Sequence, residues 1–298
     1  VRRGTECEYK SMHERVGASQ HSPIKHALYR ILGGQCIGAA SKIDKFKKTL
    51  LVEACAGDGN PNEYSGTSSP EISYRLVKGS LKLRQDIRCL LIEKREYTAE
   101  QLVQNLCRQW DDGYLLRQEG EIWIRDEALK YIEVIPGDYR SEAVADRIAK
   151  LIMPDETTVF LYIDPNKASD VELSEWLKVV LPWATTMLIT LGCNVGGSKR
   201  LPIEHPDRES WYERLEYLLR LKRQHHDACL IRLERDGSQW AYLVTVPRVW
   251  RERTDKSIVA LCKLHWPKGI QICWLSDSKK AFWNCAAYLF LTKAERGK

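Results

Sequence analysis

The chain has 298 residues, 44% of them hydrophobic and 29% charged, the composition of a soluble globular protein with room for one large domain or two small ones. No uninterrupted apolar run reaches membrane-spanning length, and the polar, basic N-terminal stretch lacks a secretory-type apolar core, so a cytoplasmic protein with no membrane contact is expected. Ten scattered cysteines with no C-x-x-C pair argue against a zinc site or a disulfide framework, and a net charge of +6 suits either a polyanionic partner or ordinary solvated surface charge.

Residues 1–20 are polar and unpatterned and read as a loose arm. A helix then starts at Ser22, as N-cap, with Pro23 in its first turn. Ile24, Leu28 and Ile31 share one face, and Gly33-Gly34 is expected to stop it. Lys25 and His26 in the first turn are either surface groups or face a ligand crevice. Leu50-Leu51-Val52 is an apolar run of the kind buried on both faces of a parallel sheet, and it leads into Glu53-Ala54-Cys55-Ala56-Gly57-Asp58-Gly59. Gly57 and Gly59 allow positive φ and leave no Cβ between backbone and ligand. A tight turn without a ligand fits the same residues.

A polar loop follows, and a second Ser-Pro signal at Ser69-Pro70 predicts a helix carrying Ile72, Leu76 and Val77. Its N-terminus would present free N–H groups close to the glycine turn. The second strand, Arg88 to Ile92, ends at Glu93, and Thr98 to Trp110 has helical periodicity. Tyr114–Arg117 and Glu121–Ile124 flank Glu119-Gly120 as an inserted hairpin within about residues 110–130, either a substrate-facing flap or an edge extension. The third strand, Tyr131 to Ile135, reaches Gly137-Asp138. A helix spans Glu142 to Leu151, and the fourth strand, Val159 to Ile163, ends at Asp164-Pro165-Asn166. A helix near Leu173–Leu181 precedes the fifth strand, Met187–Leu191. A helix over Glu209–Arg223 follows, then two apolar runs around Asp236-Gly237 that form a strong hairpin signal. The tail reads as a helix at Ser257–Leu264, a strand at Ile270–Leu275 and a helix at Ala281–Leu291.

Four apolar runs thus end in a glycine turn or an acid. Parallel strands bring their C-terminal ends to one edge, so the turn, Glu93, Asp138 and Asp164 are expected to line one crevice. The expected fold class is α/β: a Rossmann-like, mostly parallel sheet with an antiparallel hairpin at one edge, an N-terminal helix and a C-terminal α/β extension. Its domains would be an arm at 1–20, the sheet domain at 21–250, and the extension at 251–298 packed on the core.

Five β-α units followed by an antiparallel hairpin resemble the S-adenosylmethionine-dependent methyltransferase superfamily. More narrowly, the order Lys25-His26, A-G-x-G at Ala56–Gly59, Ser69-Pro70, Glu93, Gly137-Asp138 and Asp164-Pro165 resembles the three-Cys-motif partner family and the J-type ribosomal-RNA adenine methyltransferases. The match covers roughly Pro23 to Leu191. The resemblance implies S-adenosylmethionine as cofactor. Lys25, His26, Glu53, Cys55, Gly57, Gly59, Glu93 and Asp138 would lie around it, with Glu93 on the ribose and Asp138 on the adenine. Asp164, Pro165 and Asn166 would face the target amine. Amine-methylating relatives carry two prolines and an aromatic after the polar residue. Here Asn166-Lys167 stand there, so a stacking ring would have to come from Tyr162 or Trp176.

Three functions compete. One is methyl transfer to an amino group of a nucleic-acid base. Another is a catalytically inactive, cofactor-binding scaffold that works with a protein partner, which the altered fourth-strand motif and the tryptophan-rich C-terminal part suit. A nicotinamide oxidoreductase is the third, and Asn62 in place of the last glycine of G-x-G-x-x-G argues against it. Nucleic-acid phosphates would meet a basic rim of Lys199, Arg200, Arg248, Arg251 and Arg253, or that rim is simply solvated.

Overall fold

The computed structural model describes residues 22–43, 46–61, 65–80, 86–109, 115–118, 121–124, 131–164, 184–194, 219, 225–235 and 238–290. Helix α1 spans Ser22–Ala40, strand β1 Lys48–Ala54, α2 Ser69–Ser80, β2 Asp86–Glu93 and α3 Glu96–Gln109. The hairpin β3 Leu115–Gln118 and β4 Glu121–Ile124 precedes β5 Ile132–Pro136, α4 Glu142–Leu151, β6 Thr157–Ile163 and β7 Thr186–Asn194. Then come β8 His226–Arg235, β9 Ser238–Pro247, α5 Arg251–His265, β10 Ile270–Trp274 and α6 Lys279–Phe290.

Among the described residues the strands form one ten-stranded sheet in the order β10-β8-β9-β7-β6-β1-β2-β5-β4-β3. Its centre, β5-β2-β1-β6-β7, is parallel. The apolar runs are continuous there because both faces are covered: every residue of β6 is buried, as is every residue of β1 after Lys48. One covering layer packs Leu28 and Leu32 of α1, Ile72 of α2, Leu102 of α3 and Ile258 of α5 against Leu51, Phe160 and Tyr162. The other packs Val144 and Ile148 of α4 and Phe282 of α6 against Leu50, Val52 and Leu161.

Antiparallel strands flank the parallel centre on both sides, not at one edge only. The β8-β9 hairpin folds back so that β9 lies between β7 and β8, and β10 adds outside β8. On the other side β4 pairs with β5, so the β3-β4 pair of the expected insertion extends the sheet edge and is not a flap. The C-terminal part is tied in by strand pairing and by polar contacts. Arg251 reaches buried Asp227 at 3.3 Å and Asp277 at 2.5 Å, and Thr254 Oγ1 donates to Gln35 on α1 at 3.0 Å.

Gly33 and Gly34 do not end α1, which continues to Ala40. A Cβ at Gly33 would come within 2.9 Å of Leu76 and 3.4 Å of Phe160. The glycine therefore lets α1 close on α2 and β6, and that packing outweighs a propensity cost of about 1 kcal/mol. The predicted helices at 173–181 and 209–223 lie outside the described residues, Leu219 excepted, which is buried.

Gly59 has φ +75° and its missing Cβ would sit 2.7 Å from buried Leu102 Cδ1 of α3. Gly59→Ala is expected to lower unfolding free energy by about 2 kcal/mol, through overpacking and left-handed backbone cost. Gly57→Ala, with φ +70° and no atom within 4 Å of its added Cβ, should lose less. Urea titration of the two variants checks the order.

Candidate functional site

The strand register fixes the crevice. Ala54 of β1 lies opposite Ile92 of β2 and Ile163 of β6, and Glu93 lies opposite Pro136 of β5. The turn after β1, Glu93, Gly137-Asp138 and Asp164 therefore share one edge of the sheet. Cys55 and Ala56 donate their N–H groups to the Ile92 carbonyl, both at 2.9 Å, and Gly137 N–H donates to the Glu93 carbonyl at 2.9 Å. These bonds lace the three strand ends together.

The turn departs from ordinary backbone at three residues: Cys55 with φ 76°, Gly57 with φ 70° and Gly59 with φ 75°. A non-glycine residue in the left-handed region is costly and clusters at functional sites. Cys55 is the departure that sequence pattern does not announce. Gly57 is held from below by Glu93, whose Oε2 accepts the Gly57 N–H at 3.0 Å while Oε1 accepts the Arg95 N–H at 3.1 Å. Each carboxylate oxygen keeps a second lone pair. Asp58 Oδ1 accepts the Asn60 N–H, and Asn105 of α3 donates to the Asp58 carbonyl, which fixes the far side of the turn.

Asp138 is committed to cations. Arg140 Nε and Nη2 take its two oxygens at 2.9 and 2.7 Å, and Lys94 Nζ stands 3.0 Å from Oδ2. The Arg140 hydrogen bonds hold its carboxyl well below the usual range. A ligand amino group at Asp138 has to share those oxygens.

The first turn of α1 reaches the other half of the crevice. Lys25 Nζ donates to Asp164 Oδ2 at 2.6 Å, with Lys25 5% and Asp164 19% exposed. His26, buried, has Nδ1 2.8 Å from Ser65 Oγ. Burial and then the Lys25 charge push its pKa down to about 3, so the ring is neutral at neutral pH. Lys25 and His26 share a turn but serve different neighbours: Lys25 seats on the acid of β6, and His26 on the loop that precedes α2.

Beneath them lies a buried polar cluster. Glu53 is fully buried, with Ser73 Oγ of α2 at 3.0 Å and Tyr29 Oη of α1 at 3.3 Å from Oε2. Tyr162, opposite Glu53 on β6, is fully buried, its ring edge-on to Tyr29 with centroids 4.6 Å apart. That burial removes Tyr162 as a ring for stacking on a base. Pro165, Asn166 and Trp176 lie outside the described residues, as do Lys199 and Arg200.

The remaining rim residues lie at the other edge of the sheet. β9 ends at Pro247 opposite His226, the first residue of β8, and Thr245 pairs with Met187 at the start of β7. Arg248, Arg251 and Arg253 thus sit at the N-terminal edge of the parallel strands, across the sheet from the acids. Arg251 is also engaged by Asp227, Asp277 and the Trp274 ring. Among the described residues, Lys94 and Arg95 are exposed cations at the crevice edge itself.

Among the described residues no group of three or more His, Cys, Asp and Glu is placed to hold a metal ion, and no helix is long and apolar enough to cross a membrane. No protein-family model matches the chain, and no curated protein matches it. Among solved structures it is similar to protein LPL1258 from Legionella pneumophila str. Philadelphia 1, under the family model DUF519, at 12% identity and a TM-score of 0.50. The likeness covers 87% of this chain and 97% of that one; at such identity it speaks for a shared α/β fold alone.

Proposed function

We propose that the crevice binds S-adenosylmethionine and that the protein is a methyltransferase acting on an amine, carried by a nucleic-acid base. The observation that carries this reading is the meeting of the left-handed turn at Cys55–Gly59 with Glu93 and Asp164 on one sheet edge. The strand order supports it, since five parallel strands followed by a folded-back antiparallel hairpin are the layout that the motif resemblance implies.

The residues present fit such a cofactor. Gly57 leaves open space where a side chain would stand, so ligand atoms can approach the backbone there. Glu93, anchored by two backbone N–H groups, has lone pairs left for a ribose diol. The cofactor, when bound, supplies an activated methyl group on a sulfonium that leaves readily. What the chain supplies is position and electrostatics. Asp164 accepts a hydrogen bond from the acceptor amine and so orients the nitrogen lone pair. Lys25 holds Oδ2 of the same carboxylate, which fixes the direction in which it faces the acceptor. Lys94 and Arg95 at the mouth favour a polyanionic acceptor.

The test is calorimetric titration with S-adenosylhomocysteine, followed by incubation with methyl-labelled cofactor and mixed DNA and RNA. Binding at micromolar concentration and label in one nucleic acid are expected. Absence of binding removes the cofactor reading. Binding with no label in either nucleic acid favours the scaffold, whose distinguishing feature is the altered sequence after Asp164.

A further inference from the structure

Helices α2, α1 and α5 lie side by side over one face of the sheet, and α1 touches both of the others. A helix that covers a sheet turns its exposed residues to solvent, so the exposed side chains of all three share one outer surface. On α1 the one exposed residue is Arg30. On α2 the exposed side chains are Arg75 and Lys78. On α5, Arg253, Lys256 and Lys263 are exposed and fall on one side of the helix by their spacing.

Acids do not balance them. The exposed acid of these helices is Glu252, which Lys256 holds at 2.7 Å. Glu71 is buried and serves Thr67 and Arg75, and Asp255 accepts from the Trp274 indole at 2.6 Å. Six exposed cations thus stand against one exposed acid, in a chain whose totals are close, 46 basic against 40 acidic residues. Arg30, Arg253 and Lys263 make no ion pair among the described residues. Like charges gathered on one surface repel one another and draw in a polyanion.

The surface leads to the crevice. α1 starts there, with Lys25 on Asp164, and Arg30 lies about 7.5 Å further along the axis. α5 runs the opposite way. Thr254, near its start, meets Gln35 in the second half of α1. Trp266, just past its end, donates to the Glu234 carbonyl. Glu234 pairs with Gln239, which pairs with Asn194 at the crevice end of β7. Lys263 is therefore at the crevice end of α5 and Arg253 at the far end, about 15 Å away along the helix.

We infer that the phosphate backbone of the nucleic-acid acceptor lies along the outer face of α2, α1 and α5, and that Arg30 and Lys263 lead it to the crevice; this rests on the reading of the acceptor as a nucleic acid. A duplex strand presents a phosphate about every 3.4 Å of axis, so the span from Arg253 to Lys263 matches about four phosphates. Arg253 serves as the far end of this face and not as part of a crevice rim.

Fluorescence anisotropy of a labelled RNA of about 20 nucleotides, and of the DNA duplex of the same sequence, tests this when the full chain is titrated between about 0.05 and 0.3 M salt. The variant combining Arg30→Gln, Arg253→Gln and Lys263→Gln is expected to bind about 100-fold more weakly at about 0.15 M salt. Its slope of log affinity against log salt should be shallower by about two, since each lost phosphate contact removes about 0.7–0.9. A charge-matched control, Lys150→Gln with Lys279→Gln and Lys280→Gln, alters exposed residues of α4 and α6 on the opposite face of the sheet and should weaken binding by less than about threefold. Both variants should keep the wild-type urea midpoint, because every altered side chain is exposed. Equal weakening by the two variants, or none by the first, overturns the proposal and leaves the acceptor class standing. Polyglutamate that displaces the probe as well as unlabelled nucleic acid does assigns the face to an acidic protein and also overturns it. A wild-type chain that binds S-adenosylhomocysteine but neither RNA nor DNA removes the nucleic-acid reading itself, and this face with it.

Discussion

Glu93→Ala is expected to weaken S-adenosylhomocysteine binding by about 100-fold, read as the shift in Kd by calorimetry. Glu93 has two tasks. It accepts the Gly57 and Arg95 N–H groups at 3.0 and 3.1 Å, and in the proposed complex its spare lone pairs accept from the ribose. Hydrogen bonds to a charged group contribute about 1.5–3 kcal/mol each, and 1.4 kcal/mol is tenfold in affinity. Loss of the ribose bonds and of the anchor that presents Gly57 therefore corresponds to about two decades. Glu93→Gln should fall between, because one oxygen remains while its NH2 opposes a backbone N–H. An adenosine analogue without ribose hydroxyls separates the tasks: it should lose much less on going to Glu93→Ala. An unchanged Kd for S-adenosylhomocysteine in Glu93→Ala removes Glu93 from the ribose.

What the sequence made legible was the edge and not the underside. Runs such as Val159–Ile163 are apolar throughout because they are covered on both faces, and each stops where the chain leaves the sheet. The polar residue that follows marks the crevice, which is why Glu93, Asp138 and Asp164 could be assigned to one edge from pattern alone. The hairpin around Asp236-Gly237 was legible from its turn, whereas the insertion of β9 between β7 and β8 depends on long-range pairing that local sequence does not encode.

Three features of the site escaped for the same reason. Gly33-Gly34 has the local signature of a helix stop, but tertiary packing on Leu76 and Phe160 makes it a point of close approach. Lys25 and Asp164 are 139 residues apart, and their 2.6 Å bond appears only once α1 lies across β6. Glu53 looks like any acid beside a glycine turn; its burial among Tyr29, Ser73 and Tyr162 is a property of the cluster. Arg248, Arg251 and Arg253 lie away from the crevice because they follow β9, an antiparallel strand that returns the chain to the opposite edge of the sheet.

Lys25→Met is expected to lower the free energy of unfolding by about 3–5 kcal/mol at neutral pH, the usual result of removing one partner of a buried pair. Lys25 is 5% exposed and Asp164 19%, so water does little to replace the lost ammonium, and Glu53 stands near enough to feel the Asp164 charge. Asp164 would then lose the ammonium that Lys25 brings to it at 2.6 Å. The sign of the pH effect follows. Without Lys25 the folded variant holds its carboxyl protons more tightly than the wild type does, so the deficit shrinks as pH falls and the acids become neutral. Urea titrations at neutral and acidic pH check both the size and the trend. Lys25→Met combined with Asp164→Asn should recover part of the loss, because the stranded charge is gone. The same variant divides the crevice: S-adenosylhomocysteine affinity should stay within about threefold, since Lys25 bonds to Asp164 and not to the turn, whereas any methyl transfer should fall at least 100-fold once Asp164 loses its fixed orientation. A deficit under about 1 kcal/mol that does not change with pH marks the pair as solvent-screened and removes Lys25 as the residue that positions Asp164.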